Sequence, residues 1–279
     1  MVQIVADTLA SISVNEAKLL HLPYLPQIII FGEQSFRDDT EITSDAFLER
    51  LRTSAEFPKT AAPPPILYNP IYKELLKRGE PILVICPSSK VSGTVRSAEV
   101  AAQDFPKGKI HVLDTPLVGA ALGTVVKEAL KWAKAKDDIN SIIQKVNAMA
   151  IRNRTYFLLD TLEYLHKGGR IGAAQALFGG ILQVKPILAF RNGQVEPLES
   201  QRTKTKAFNR LIEIVVNECP HSEKSFLYVQ QGGAMDEANQ LVAEFKKSMD
   251  LKNIPIVTVP PAILAYGGPR VCGVSFFVN

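Results

Sequence analysis

Cysteine is scarce in this chain. Cys86, Cys219 and Cys272 are the only three, odd in number, far apart and without a CxxC pair. That excludes a disulfide framework and argues against a zinc site, and it fits a reducing compartment. Cys86 and Cys272 stand in apolar runs and read as small buried hydrophobes. The four histidines, His21, His111, His166 and His221, include no metal-type pair such as HxxxH. Glycine motifs for nucleotides are missing too: neither GxGxxG nor GxxxxGK[ST] occurs. GxSxG is absent, so no α/β-hydrolase nucleophile elbow is indicated. A Ser-His-Asp triad assembled only in space stays open at this stage. The uncharged stretch from Asn253 to Pro269 contains Pro255, Pro260, Pro261 and Pro269, which excludes a simple membrane helix.

Strong charge is also lacking. The formal net charge is +4, and Lys and Arg are scattered apart from short pairs such as Lys246-Lys247. That pattern reads as solvated helix faces rather than a nucleic-acid footprint. Met1 to Asp7 has no basic n-region and enters a strand-like run at once, so the expectation is no signal peptide and a cytoplasmic protein. Nothing in the motif inventory points to a cofactor.

A globular balance remains, with 46% hydrophobic and 22% charged residues in 279, enough for two domains. Val2–Ala6, Ile28–Phe31, Ile82–Cys86 and Ile110–Leu113 are short apolar runs of the kind found in a sheet covered on both faces. Amphipathic helices are expected through Val95–Phe105, Leu122–Ala133 and Ile139–Val146. Alternation of the two predicts an N-terminal α/β domain with a mainly parallel sheet and helices on both faces. The second half reads as an α+β domain. A strand is expected at Tyr156–Leu159, then a glycine-rich loop region at Gly168-Gly169, Gly172 and Gly179-Gly180. Ile187–Phe190 and Val195–Leu198 form a hairpin about Asn192-Gly193. Helices around Phe208–Val215 and Leu241–Met249, and strands at Phe226–Val229, Ile256–Val259 and Val271–Val278, follow. The boundary is expected near residue 155, giving domains 1–155 and 156–279. Ala61-Ala-Pro-Pro-Pro65 reads as a stiff loop.

Three segments stand out: Pro58-Lys-Thr-Ala-Ala-Pro63; Ser88-Ser-Lys-Val-Ser-Gly-Thr-Val-Arg-Ser-Ala98; and Leu165-His-Lys-Gly-Gly-Arg-Ile171, followed by Leu182-Gln-Val-Lys-Pro-Ile-Leu188. In the second, a strand ends at Cys86 and a helix begins near Thr94, with Ser92 or Gly93 as N-cap. The unpaired N–H groups of that helix start, the hydroxyls of Ser89, Ser92 and Thr94, and the open backbone at Gly93 suit a carboxylate or a phosphate. The position after a strand C-terminus is where open α/β sheets bind ligands. Simple helix capping is the plain alternative. In the third segment Arg170, beside a flexible glycine pair, is placed to meet an anion from the other domain; a surface turn is the alternative there.

Taken in order, these segments resemble the DegV family over nearly the whole chain. That family has a Pro-x-Thr-Ser-x-Pro loop, a Ser-Ser-x-Leu-Ser-Gly-Thr-x-x-Ser-Ala segment, a Lys-Gly-Gly-Arg-Ile segment and a Lys-Pro-Ile-Leu strand. Here they read Pro58–Pro63, Ser88–Ala98, Lys167–Ile171 and Lys185–Leu188. Some positions depart. Thr-Asp-Ser reads Ala6-Asp7-Thr8, and the following Asp-Leu-Pro reads Ser11-Ile12-Ser13. Ala61 replaces a serine, and His-Thr-Gly-Pro-Gly reads Tyr266-Gly267-Gly268-Pro269-Arg270. Tyr266 keeps a hydrogen-bond donor without a titratable imidazole.

The resemblance implies two domains with one long-chain fatty acid, such as palmitate, in a tunnel between them. It implies a carboxylate held by Thr60 and Ser92, with Ser89, Gly93, Arg170 and Tyr266 around it. It also implies a binding protein rather than an enzyme, serving lipid transport or fatty acid metabolism and presenting the acid to a separate fatty acid kinase. Arg202, Lys204 and Lys206 are candidates for that docking face. Two other readings are kept: a phosphoryl- or acyl-transfer enzyme using the same Ser/Thr/Gly loop, and an interaction module without a ligand.

Overall fold

A computed structural model of the protein describes residues 1–178 and 184–279. The first half runs β1 (Gln3–Asp7), α1 (Val14–Leu19), β2 (Tyr24–Leu25), β3 (Ile28–Phe31), β4 (Gln34–Arg37), α2 (Ser44–Thr53), β5 (Lys59–Ala61), α3 (Pro65–Leu76), β6 (Ile82–Cys86), α4 (Thr94–Ala102), β7 (Ile110–Asp114), α5 (Ala120–Lys134) and α6 (Ile139–Arg152). The second half runs β8 (Asn153–Leu158), α7 (Glu163–Lys167), β9 (Lys185–Arg191), β10 (Gln194–Gln201), α8 (Lys204–Glu218), β11 (Tyr228–Gly232), α9 (Met235–Ser248), β12 (Ile256–Thr258), α10 (Pro261–Gly267) and β13 (Val271–Phe277).

The parallel sheet expected from the apolar runs is present, in the order β2-β1-β6-β7. The runs Ile4–Ala6 and Ile82–Cys86 of its central strands are apolar at every position because both faces are covered. Val5, Val84 and Cys86 pack under α3 and α4 with Tyr68, Tyr72 and Ala98. Ile4, Ala6, Leu83 and Ile85 pack against α5 and α6, with Leu122, Val125 and Ile142.

Two expectations for this half are corrected. Ile28–Phe31 is a strand, but it lies outside the parallel sheet, in a separate antiparallel sheet of order β4-β3-β5. Only one of its faces is fully covered: Ile29 and Phe31 are buried on Phe47 and Leu48 of α2, while Ile28 and Ile30 stay partly exposed. The stiff loop at Ala61–Pro65 is instead a junction. Thr60 and Ala61 pair with Ile29 and Ile28 in an edge strand. Pro65 opens α3, a first-turn position where its missing N–H removes no helical bond. Helices α1, α2, α3, α7 and α10 are additional to those expected from the sequence.

The second half is built on a mixed sheet of order β10-β9-β8-β13-β11-β12, antiparallel except for the β11–β12 pair. Its back face, with Tyr156, Ile187, Val229, Val274 and Phe276, is sealed by Phe208, Leu211 and Val215 of α8 and by Leu241 and Phe245 of α9. The Asn192-Gly193 hairpin is as expected, with both residues at positive φ (51° and 78°), the type I′ signature. Residue 155 falls inside β8, whose first residue directly follows α6. The halves interlock beyond that point. Phe277 of β13 enters the α5–α6 core, and α10 crosses back to pack on α2, β3 and β5. The expected Gly179-Gly180 loop and the Leu182-Gln183 start of the fourth motif lie outside the described residues.

Candidate functional site

A cleft enclosing about 1050 Å³, part of it open to solvent, lies between the front face of the mixed sheet and the loops that follow β1, β6 and β7. Strand alternation supplies its floor. Residues whose neighbours bury into the α8–α9 core point the other way, so Thr155, Phe157, Phe190, Gln230 and Val271 face the cleft. Leu9, Val91 and Val118 come from the loops after the parallel strands, where open α/β sheets receive ligands. Val259, Ala262 and Ile263 come from the segment that returns through α10. The wall is mostly apolar, and one group of polar side chains stands out in it.

That group gathers Thr60, Ser92, Gly93, Arg170 and Tyr266, all of which line the cleft. The edge strand β5 presents Thr60, whose hydroxyl lies 2.6 Å from the Tyr266 phenol on α10. Gly93, not Ser92, takes the N-cap position of α4, and it makes no side-chain cap. Ser92 instead accepts from the Thr94 N–H at 3.2 Å and bonds the Thr94 hydroxyl at 2.9 Å. Arg170 reaches over from the second half. Its Nε donates to the Val91 carbonyl at 3.2 Å, beside Ser92, and its Nη1 to the Gly168 carbonyl at 2.8 Å. Its guanidinium carbon sits 4.9 Å from the Tyr266 ring centroid, a cation–π contact. The glycine pair before it has two separate reasons. A side chain at Gly168 would run into the Tyr266 ring at 2.3 Å, and Gly169 adopts φ +70°.

Ser89 is elsewhere. It is exposed, outside the cleft lining, and bound to Asp114 through its N–H at 3.0 Å and its hydroxyl at 2.5 Å. Lys167 pairs with Glu163 at 2.5 Å. Arg270 turns to Glu237 and Asp160 rather than to the cleft. None of the four histidines lines the cleft; His111 and His221 meet backbone carbonyls and His166 meets Gln175. A histidine-based triad at this cleft is therefore excluded among the described residues.

Behind Ser92 lies a buried polar network that sequence reading missed. Asp7, at the end of β1, accepts from the Thr94 hydroxyl at 2.8 Å, from Gln27 Nε2 at 2.7 Å and from the Leu9 N–H at 3.1 Å. Asp38 accepts from the Thr8 hydroxyl and the Gln27 N–H, each at 2.8 Å. Burial dominates both carboxyls, raising Asp7 to about 7 and Asp38 to about 8 against the bonds that favour their charged forms. The only sequence signal was an Asp closing an apolar strand.

A family model described as an uncharacterised protein of the DegV family matches residues 1–279. A DegV domain-containing protein of Halalkalibacterium halodurans is 30% identical over 279 residues, covering 100% of this chain and 99% of its own. One of Streptomyces coelicolor is 32% identical over 98% of this chain and 97% of its own. Among solved structures, a Thermus thermophilus DegV family protein described by its fatty acid binding superposes with a TM-score of 0.90 at 26% identity, covering 100% of this chain and 99% of its own. DegV of Bacillus subtilis, described as a fatty acid binding protein, gives 0.88 at 27% identity with the same coverage.

Proposed function

This chain belongs to the DegV family, and from that premise we propose that it binds one long-chain fatty acid, such as palmitate, in the cleft between the sheets. The observation that carries the reading is a largely apolar cleft that holds a cluster of hydrogen-bonding groups formed by Thr60, Ser92, Arg170 and Tyr266. A carboxylate leaving water needs donors. The Thr60–Tyr266 hydroxyl pair, Ser92 and the Arg170 guanidinium supply them. A hydrocarbon chain needs only dry wall. Roughly fourteen methylenes of palmitate supply about 11 kcal/mol of gross driving force, from which ordering and association costs are subtracted.

The wall also favours this reading over a phosphoryl- or acyl-transfer enzyme at the Ser/Thr/Gly loop. A small phosphorylated substrate would leave Phe157, Phe190, Val118 and Val259 without a partner. We read the protein as a carrier without a chemical step, with the ligand between residues 1–155 and 156–279, serving lipid transport or fatty acid metabolism. Presentation of the acid to a separate kinase belongs to the same proposal, supported by the family resemblance. Arg202 and Lys206 are exposed for docking, whereas Lys204 lies 2.7 Å from Asp160 and 3.5 Å from Glu237.

Native mass spectrometry of protein purified from bacteria tests the binding. The expected result is an added mass of one long-chain fatty acid, removed by delipidation and restored by adding the acid back. A phosphate-bearing ligand, or no uptake of added acid, would overturn it.

A further inference from the structure

The cleft has a second polar feature, away from the Thr60–Tyr266 group. Two glutamines line it, and they differ in how fully they are bonded. Gln27 donates through Nε2 to both Asp7 and Thr94, at 2.7 and 3.0 Å. Gln230, on β11, is 7% exposed, and its Oε1 accepts from the Ala120 N–H at 2.7 Å. Only an oxygen can face that N–H, so the bond fixes the amide's orientation and turns its NH2 away from the helix. Nε2 then meets no acceptor among the described residues. The same cleft is lined by apolar residues such as Leu9, Val118 and Val259.

This donor opens to the cleft, so a chain that fills the cleft takes it out of water, which is unfavourable unless that chain brings it an acceptor. The surroundings add to its donor character. Gln230 caps the start of α5, a 15-residue helix whose first N–H groups lack intrahelical acceptors and carry partial positive charge. No hydrogen bond links Gln230 to the head-group cluster, which is carried by β5, the β6–α4 loop, the stretch after α7, and α10. Gln230 lines the same cleft as that cluster, so a ligand whose carboxylate sits in the cluster and whose chain fills the cleft has Gln230 in its wall.

We infer that the cleft takes an acyl chain bearing an oxygen, as a hydroxyl or keto group, which accepts a hydrogen bond from Gln230 Nε2. This rests on the fatty acid reading above and narrows its substrate class. A saturated chain leaves the amide facing hydrocarbon, whereas an oxygen at that level of the chain completes its bonding.

Delipidated protein is tested by displacement of a fluorescent fatty acid, using stearic acid and its positional hydroxy- and keto-derivatives. One neutral hydrogen bond predicts that at least one oxygenated isomer binds roughly three- to tenfold more tightly than stearic acid. Comparing the hydroxy and keto series at that position identifies which oxygen is read. Gln230→Leu should erase the preference while stearic acid binds at least as well as before. Gln230→Glu keeps an acceptor for the Ala120 N–H and removes the donor, so it should lose the preference while remaining folded by thermal melt. No preferred isomer in the unmodified protein would overturn the inference and leave the fatty acid reading standing. Equal losses for stearic acid and its derivatives in both variants would also overturn it, by assigning Gln230 to the head group. Failure of every acid to displace the probe would sink both.

Discussion

The hydroxyl of Thr60 and the phenol of Tyr266 lie 2.6 Å apart although 206 residues separate them. One arrives on an edge strand and the other on a helix that crosses back over β3 and β5. Two hydroxyls that share one hydrogen bond hold two hydrogens and use one between them. The second is left to donate to a ligand, whichever oxygen carries it.

That sharing predicts an unusual mutational pattern. Thr60→Val leaves the phenol free to donate, and Tyr266→Phe leaves the threonine hydroxyl free. Each single variant should lower fatty acid affinity by less than about tenfold. The double variant removes the donor altogether and should lose more than the product of the two single losses, about ten- to a hundredfold in all, as expected for a bond to a charged group. Fluorescent displacement on all four proteins, with thermal melts to control for folding, measures the cycle. Strict additivity would mean that the two hydroxyls do not serve one carboxylate.

Affinity should also depend on pH through Asp7. With Asp7 ionised, the Thr94 hydroxyl donates to it, Ser92 then donates to Thr94, and Ser92 offers a ligand only lone pairs. With Asp7 protonated, the chain reverses and Ser92 gains a hydrogen for the ligand. Asp7 titrates at about 7, so carboxylate affinity should be higher at pH 6 and fall as pH rises through that value. Tyr24, Tyr68 and Cys86 face Asp7 and are held neutral by burial, and Asp38, raised to about 8, adds its charge only later in the same rise. Asp7→Asn removes the titrating group and should flatten the profile between pH 6 and 8. A profile unchanged by the substitution would rule the relay out.

The hairpin tip should matter to stability more than a free turn does. Gly193 has φ +78°, its carbonyl accepts from the buried Ser88 hydroxyl at 2.8 Å, and an added Cβ would lie 2.3 Å from that oxygen. Gly108 has nearly the same backbone, φ +77°, with nothing within 4 Å of an added Cβ. Gly108→Ala should therefore show strain alone, about 1–2 kcal/mol. Gly193→Ala should show that plus the displaced contact between the two halves. In calorimetry this is a further fall in melting temperature of about 2–4 °C for each additional kcal/mol. Equal shifts for the two variants would mean that the Ser88 contact contributes nothing.

Much of this architecture is local and was readable along the chain. The runs Ile4–Ala6 of β1 and Ile82–Cys86 of β6 are apolar throughout because helices cover both faces, and the helices on them show their stripes at a 3.6-residue period. Asn192-Gly193 specifies its turn through backbone freedom at two adjacent residues. The Ser88–Ala98 segment announces a strand end, small hydroxyls and a helix start within a few residues, so its candidacy as a ligand loop is visible without a fold. Other features are set only when distant segments meet. Ile28–Phe31 has the composition of a central strand, but its neighbours in space put it in a small separate sheet with one face half open. Ser89 and Ser92 look equivalent in sequence, yet Asp114 takes the first and the cleft receives the second. Phe157 and Tyr156 are adjacent aromatic residues of one strand; one lines the cleft and the other is buried in the α8–α9 core. Hydrophobicity drives either out of water equally well, because that force is non-directional. Whether an apolar side chain ends against another side chain or against a ligand is decided by which surfaces the tertiary structure leaves apart.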